Sequence, residues 1–318
     1  MNVTVLCGGV GAARYLRGLM QVIPAANITA IVNTGDDTEM HGLTICPDLD
    51  TITYTLAEAT DTVRGWGLAE ETWNALGALN RFASVRPVSS TAAGTWFGLG
   101  DKDLATHMYR SHRLGEGAPL SVITAEITRA WGLGLTMLPM TDDAVRTMVH
   151  TTDLGEISFQ EYFVRHHHSV AVQSLRFAGA ETAQVPVAVL RAIVDADRIV
   201  IAPSNPLVSI GPIRALASVE AALKDRRADT VAISPIVGGK ALKGPADRML
   251  MEMGYDVTQK AIASLYSPIA AVLMIDSIDA AQAGDVRAAG LGCMVADTVM
   301  SDLARAKSVA VKSLKEFA

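Results

Sequence analysis

A short apolar run, Val3 to Leu6, gives way at once to Cys-Gly-Gly-Val-Gly-Ala-Ala-Arg. Helix-forming sequence follows to about Met20, and a second apolar run spans Ile28 to Val32. Apolar run, glycine-rich turn, helix, apolar run is the opening of a doubly wound α/β domain, and it leaves few other ways to begin folding. Gly8, Gly9 and Gly11 permit close backbone approach, and the helix that follows offers free N–H groups to a phosphate. The spacing is not the full GxGxxG of a dinucleotide site. A nicotinamide site also needs an acid about 20 residues on for the ribose, and this chain has Asn33 there. The turn therefore reads as a phosphate-binding turn.

The pattern returns later in the chain. Arg198 to Ile201, Thr230 to Ile233, Ala271 to Ile275 and Gly292 to Val295 read as strands, and Ser301 to Phe317 as a closing helix. Between the halves, helices are expected at Asp50–Ala59, Glu70–Phe82, Gly100–Leu114 and Leu120–Trp131, with Pro87 to Leu99 as loop. Short β-rich runs follow at Leu135–Leu138, Val145–Thr151, Ile157–Val164 and Val170–Phe177. The fold expected is α/β: a doubly wound, mostly parallel Rossmann-like sheet formed by residues 1–60 and 180–318. Residues 61–179 are expected to be a helical and β insertion outside that sheet. A chain of 318 residues, half of them hydrophobic, is long enough for such an arrangement.

In an open α/β sheet the ligand lies beyond the carboxyl ends of the strands. The second strand leads into Asn33-Thr34-Gly35-Asp36-Asp37 and then Cys46-Pro47-Asp48-Leu49-Asp50-Thr51. Four carboxylates thus fall within fifteen positions, broken by Gly35, Gly42 and Pro47. Two acidic turns so close in sequence, Asp36-Asp37 and Asp48 with Asp50, suit a hard cation such as Mg²⁺, which takes one or two carboxylates and leaves places for phosphate oxygens. Asp is also a good helix N-cap, the alternative use of each. The loop after the Arg198 strand carries Ser204, Asn205 and Ser209, which suit a base, ribose or phosphate. The loop from Ser234 to Pro245, with Gly238, Gly239, Gly244, Lys240 and Lys243, is phosphate-loop-like in composition but is not a Walker A motif. Lys102 stands at a helix start, where an acid or an anionic ligand must offset the helix dipole. Trp96 and Phe97 are either core residues or a stacking surface for a planar ring. The His166-His167-His168 tract has no metal-ligand spacing and reads as a solvated strand end.

Composition removes other classes. With 27 Lys and Arg against 33 Asp and Glu, the chain has no basic footprint for nucleic acid. Its three cysteines are dispersed, as expected in a reducing cytoplasm. No apolar run is long enough for a membrane span, and no basic signal region opens the chain. No GxSxG elbow is present.

The motifs together resemble the CofD/FbiA family of transferases, which makes the deazaflavin coenzyme F-420. The resemblance runs in order through Gly8–Arg14, Val32–Asp37, His41-Gly42, Cys46–Thr51, Tyr54–Leu56, Gly98–His107, Phe159–Glu161, Ala202–Pro206, Val208–Pro212 and Ser234–Ile236. Ala12 stands where the family often has glycine, and Lys102 where many members have arginine. The resemblance implies transfer of a phosphorylated three-carbon acid (phosphoenolpyruvate, 2-phospho-L-lactate or 3-phosphoglycerate) from a GDP-linked donor. The acceptor is the terminal ribityl hydroxyl of 7,8-didemethyl-8-hydroxy-5-deazariboflavin, Fo, and GMP leaves. It implies Asp50 and Lys102 at the Fo site, with Thr51 and His107 beside them, and Mg²⁺ on Asp36, Asp48 and Asp37. Gly8, Gly9, Gly11, Ser204, Asn205, Ser209, Ser234 and Gly238 would hold the nucleotide, and the insertion would cover the deazaflavin. A cytoplasmic homodimer is the expected assembly. Two rivals differ in class: a nucleotide-sugar-binding regulator of the YvcK type, and a nicotinamide oxidoreductase. The Cys46–Thr51 and Gly100–His107 segments favour the transferase, and Asn33 speaks against the oxidoreductase.

Overall fold

A computed structural model describes residues 1–315. Seven strands form one parallel sheet: β1 (Val3–Cys7), β2 (Ile28–Val32), β3 (Thr136–Pro139), β4 (Arg198–Ile201), β5 (Thr230–Ile233), β6 (Val272–Asp276) and β7 (Gly292–Ala296). Their spatial order is β7-β6-β5-β4-β1-β2-β3. Chain order thus reverses between β1 and β4, which leaves a crevice at their carboxyl ends. The central strands are continuous apolar runs because helices cover both faces. Along β1, Val3, Val5 and Cys7 enter the core beneath helices α1 (Gly9–Leu19), α2 (Pro47–Leu56) and Leu303–Ser313. Leu6 enters the opposite core, with Val189, Ile213 and Ile262 of the other helical layer.

The insertion differs from the expectation. The Leu135 run is not outside the parallel sheet: Thr136–Pro139 pairs with Ile28–Val32 and forms its edge. What reads as one insertion is therefore two excursions on either side of β3. The first, between β2 and β3, holds a hairpin (Thr38–Met40 with Leu43–Ile45), α2, and helices Asn74–Ala83, Asp101–Gly115 and Leu120–Ala130. The second holds an antiparallel sheet of Arg146–Thr151, Gly155–Ser158 and Val172–Ala178. The Ile157 run stops as a strand at Ser158 and continues as a π-helical turn, Glu161–Arg165. The histidine tract follows that turn rather than ending a strand: His167 and His168 have left-handed backbones, and His168 stacks on Phe163. The closing helix spans Leu303–Ser313; the expectation that it reaches Phe317 lies outside the described residues. Among the described residues no helix is long and apolar enough to cross a membrane.

Candidate active site

The crevice between β1 and β4 is built mainly from backbone and small polar groups. Ser204 Oγ accepts from the Gly8 N–H (3.2 Å) and donates to the Gly8 carbonyl (2.7 Å), tying the two strand ends together. Asn33, at the end of β2, donates from Nδ2 to Asp48 Oδ2 (2.9 Å), while its Oδ1 accepts from the Gly35 N–H (2.8 Å). Gly9 has φ +68°, a conformation that side chains rarely adopt. A β-carbon on Gly8 would sit inside the side chain of Ser209 and 3.0 Å from Asp48 Oδ2. The structure thus gathers Gly8, Gly9, Asn33, Asp48, Ser204 and Ser209 at one place. Gly8, the N-cap of α1, has no side chain to cap the helix; its own N–H goes to Ser204 and the Gly9 N–H to Asp48, and the rest of the first turn is the kind of helix start that suits an anion.

Asp48 is not ahead of the helix expected from Asp50 but shares the first turn of α2 with Asp50, because the helix begins at Pro47. None of the four aspartates is a cap, because Cys46 holds the N-cap position without a side-chain bond. Proline at the first helical position sets this start. All four are buried. Burial pushes the Asp48 carboxyl up to about 6, against the stabilising bonds from Asn33 and the Gly9 N–H. Burial, reinforced by the neighbouring Asp48 charge, raises Asp36 well above the usual range. Burial also lifts Asp37 to about 7, although Arg146 and Arg110 oppose it. Asp36 Oδ1, Asp37 Oδ1 and Thr147 Oγ1 are buried without a hydrogen-bond partner, and all three residues line a cavity of about 410 Å³. Orphaned, desolvated carboxylate oxygens are the condition that a divalent cation relieves. Among the described residues no group of three or more His, Cys, Asp or Glu is arranged to hold a metal. The fit is therefore to an ion held by one or two carboxylates and completed by a phosphate-bearing ligand.

Behind Asp50 the chemistry is ionic. The Arg110 guanidinium grips both carboxylate oxygens: Nη2 donates to Oδ1, and Nη1 to Oδ2 at 3.1 Å. Arg110 is the largest fully buried side chain among the described residues. Its Nη1 also lies 3.2 Å from His107 Nδ1. His107 Nε2 is 3.2 Å from Asp103 Oδ2, and Tyr54 donates to Asp103 Oδ1 at 2.6 Å. Burial raises Asp103, but His107 and Tyr54 outweigh it and hold the carboxyl below its ordinary value. Burial disfavours the Arg110 charge, and the Asp50 carboxylate more than restores it. Two helix stripes meet here: Asp50 and Tyr54 on α2, and Asp103, His107 and Arg110 on the Asp101–Gly115 helix. Spacings of three and four residues place each set on one face.

Other predicted residues stand elsewhere. Lys102 turns its ammonium to the Ala69 carbonyl (3.1 Å) and towards Glu70 (3.7 Å), half exposed. Asp101 and Asp103 supply acid in the first turn of that helix, and Glu71, not anticipated from the sequence, adds a carboxylate that accepts from the Lys102 and Asp103 N–H groups. Thr51 follows Asp50, partly buried, and His107 is buried behind it. Asn205 is committed to its own turn, accepting from the Leu207 N–H at 2.9 Å. Ser234 bonds within its own loop, and the Gly238 N–H donates to Asp279 (3.0 Å), so that loop docks on the segment after β6. Trp96 and Phe97 meet edge to face and pack on Met40, Ile45 and Leu99.

Sequence reasoning missed Arg110. Asp103, His107 and Arg110 recur at helical spacing on a helix with few apolar residues. Polar side chains on what must be the inward face were the available signal. Arg146 and Thr147 were missed because they reach the Asp36 turn from the second excursion.

The family model described as 2-phospho-L-lactate transferase CofD matches residues 3–313. A phosphoenolpyruvate transferase of Streptomyces griseus is 41% identical over 319 residues, covering 99% of this chain and 98% of that one. A phosphoenolpyruvate transferase of Mycobacterium bovis is 43% identical over 294 residues, 87% of this chain and 86% of its own. Among solved structures, a UPF0052-family protein of Bacillus halodurans superposes with TM-score 0.63 at 16% identity, covering 99% of this chain and 98% of that one; at that identity the likeness is one of fold. With a family model spanning nearly its whole length and relatives above 40% identity, the chain belongs to the CofD family of transferases.

Proposed function

We propose that the protein transfers phosphoenolpyruvate from its GDP-linked donor to the ribityl hydroxyl of Fo, releasing GMP. The observation that carries this reading is the junction of two unlike subsites on one helix turn. Asp48 belongs to the glycine-rich nucleotide crevice, and Asp50, two residues on, presents a carboxylate fixed by Arg110. The diphosphate lies on the N-terminus of α1 with Gly8, Gly9 and Gly11, between Ser204 and Ser209. Mg²⁺ on Asp48 and Asp36, with Asp37 nearby rather than as a third ligand, would neutralise charge on the phosphoryl oxygens. Asp50 accepts a hydrogen bond from the attacking hydroxyl and holds it in line with the distal phosphorus. A bond forms from that oxygen to phosphorus, the bond from phosphorus to the bridging oxygen breaks, and GMP carries that oxygen away. The hydroxyl proton leaves through Asp50. Phosphoryl transfer passes through a loose transition state, so aim matters more than early deprotonation. The choice of phosphoenolpyruvate follows the curated relatives, which are named for it.

The test is direct. The protein is incubated with Fo, Mg²⁺ and each of the three GDP-linked acids, and product mass and GMP are followed. Product with the phosphoenolpyruvate donor, abolished by a chelator, is expected. Product with another donor would correct the acid. No product with any donor, and no change in Fo fluorescence on mixing, would overturn the reading in favour of a nucleotide-binding regulator.

A further inference from the structure

We infer that Arg110 is a positioning residue for the transfer: its buried guanidinium fork sets the orientation of the Asp50 carboxylate, and His107, backed by Asp103 and Tyr54, sets the fork. Arg110 is 1% exposed, so it acts through Asp50 rather than on a ligand. A guanidinium that bonds both oxygens of a carboxylate fixes its plane as well as its place, which a single ammonium cannot do. The fork is held in turn. Nη1 reaches the Thr44 carbonyl (3.4 Å) and His107 Nδ1 (3.2 Å). Guanidinium nitrogens only donate, so Nδ1 is the acceptor and the ring proton belongs on Nε2, the nitrogen facing Asp103. With Nδ1 so engaged, His107 has no proton to give to Asp50, 3.7 Å away. Tyr54 closes the circuit from the helix that carries Asp50. Arg110 is thus held directly by Asp50, Thr44 and His107, while the His107 Nε2–Asp103 link is a close contact at 3.2 Å without hydrogen-bond alignment, so the fork's own bonds carry the positioning.

This inference rests on the reading of Asp50 as the group that aims the acceptor hydroxyl. Its test is a small variant set measured with Fo, Mg²⁺ and the GDP-linked donor. Arg110→Lys keeps the charge and loses the fork. It is expected to fold, to retain donor KM, and to lose about 10²-fold in kcat/KM for Fo. Added to Asp50→Asn, the same change is expected to cost nothing further, since residues that act as a unit are not additive. Arg110→Met leaves Asp50 buried and unpaired and is expected to unfold earlier on heating. The neutral pair Asp50→Asn with Arg110→Met removes that defect, so it should regain thermal stability without regaining activity. Arg110→Lys within about twofold of the wild-type rate would overturn the inference. So would a loss that repeats in full on the Asp50→Asn background, or one shared equally by donor KM. If the wild-type protein makes no product with any donor, it is the functional reading that fails. If it turns over and Arg110→Lys does too, only the role of Arg110 fails.

Discussion

The two halves of the site are made of different materials. The crevice between β1 and β4, where the nucleotide is proposed to bind, consists of glycine backbone, one buried asparagine and two serines, fitted so closely that a β-carbon on Gly8 or Gly11 has no room. The Asp50 half, the proposed acceptor side, is ionic, with Asp50, Arg110, His107 and Asp103 packed away from water between two helices. The first half is specified by space and the second by electrostatics. The two should therefore fail in different ways: the crevice through added volume, the network through changed charge.

The largest effect should come from an isosteric change of charge. Asp50→Asn adds no volume, and loss of the aimed carboxylate should lower kcat/KM for Fo by about 10²-fold. Nucleotide affinity, read by calorimetry with GDP, should hold. Equal loss of GDP affinity would mean that the halves are not separable.

Gly11→Ala is the converse. It changes no charge, but its β-carbon would overlap the Pro203 carbonyl, a backbone atom that cannot step aside. Overpacking of this kind costs about 1–3 kcal/mol, measurable as a lower midpoint in urea. An unchanged midpoint would show that α1 can shift away from β4.

A third prediction concerns two of the buried carboxylates, Asp37 at the cavity and Asp48 beside the glycine-rich turn. Asp37 is raised to about 7 and Asp48 to about 6, from 3.8. The folded protein therefore keeps protons that the unfolded chain has released. Below about 4 both states are protonated, and this contribution to stability is fully present. It is lost as pH rises to about 7, and is flat beyond. Metal binds the ionised form, so stabilisation by Mg²⁺ should grow across the same window. Melting temperature at pH 5, 6, 7 and 8, with and without Mg²⁺, tests both slopes. A metal-free melting temperature that climbs from pH 5 to 7 would contradict the sign.

Ser204→Ala should have the smallest effect. It removes the two hydrogen bonds that tie β4 to Gly8 and leaves space rather than a clash. A loss of about 1 kcal/mol in stability and a few-fold weaker GDP binding are expected. Unchanged GDP binding would take Ser204 out of the nucleotide site.

The first half of the site was legible in the chain because it is local. A glycine turn after an apolar strand, and Asn33 at the end of the next, are bound to meet once parallel strands lie side by side. That the acidic stretch would gather beside that turn was legible for the same reason, although not the start of α2 at Pro47. The strands β4 and β5 were readable to the residue, since only a run buried on both faces is apolar without a break. The Leu135 run was misplaced because a strand of four residues carries no mark of which sheet it will join.

What the sequence alone determined is what backbone and solvent impose: a doubly wound sheet, a crevice at its switch point, a glycine-rich turn there, and carboxylates beside it. Which carboxylate is paired, and by what, was decided only by tertiary structure. Asp50 and Arg110 are sixty positions apart, and Lys102, the cation nearer in sequence, points to Ala69 instead. Local propensity fixes where a helix runs and which residues share its face. The partner of a buried charge depends on how two such faces are pressed together, because only there does loss of water make one pairing much better than the rest.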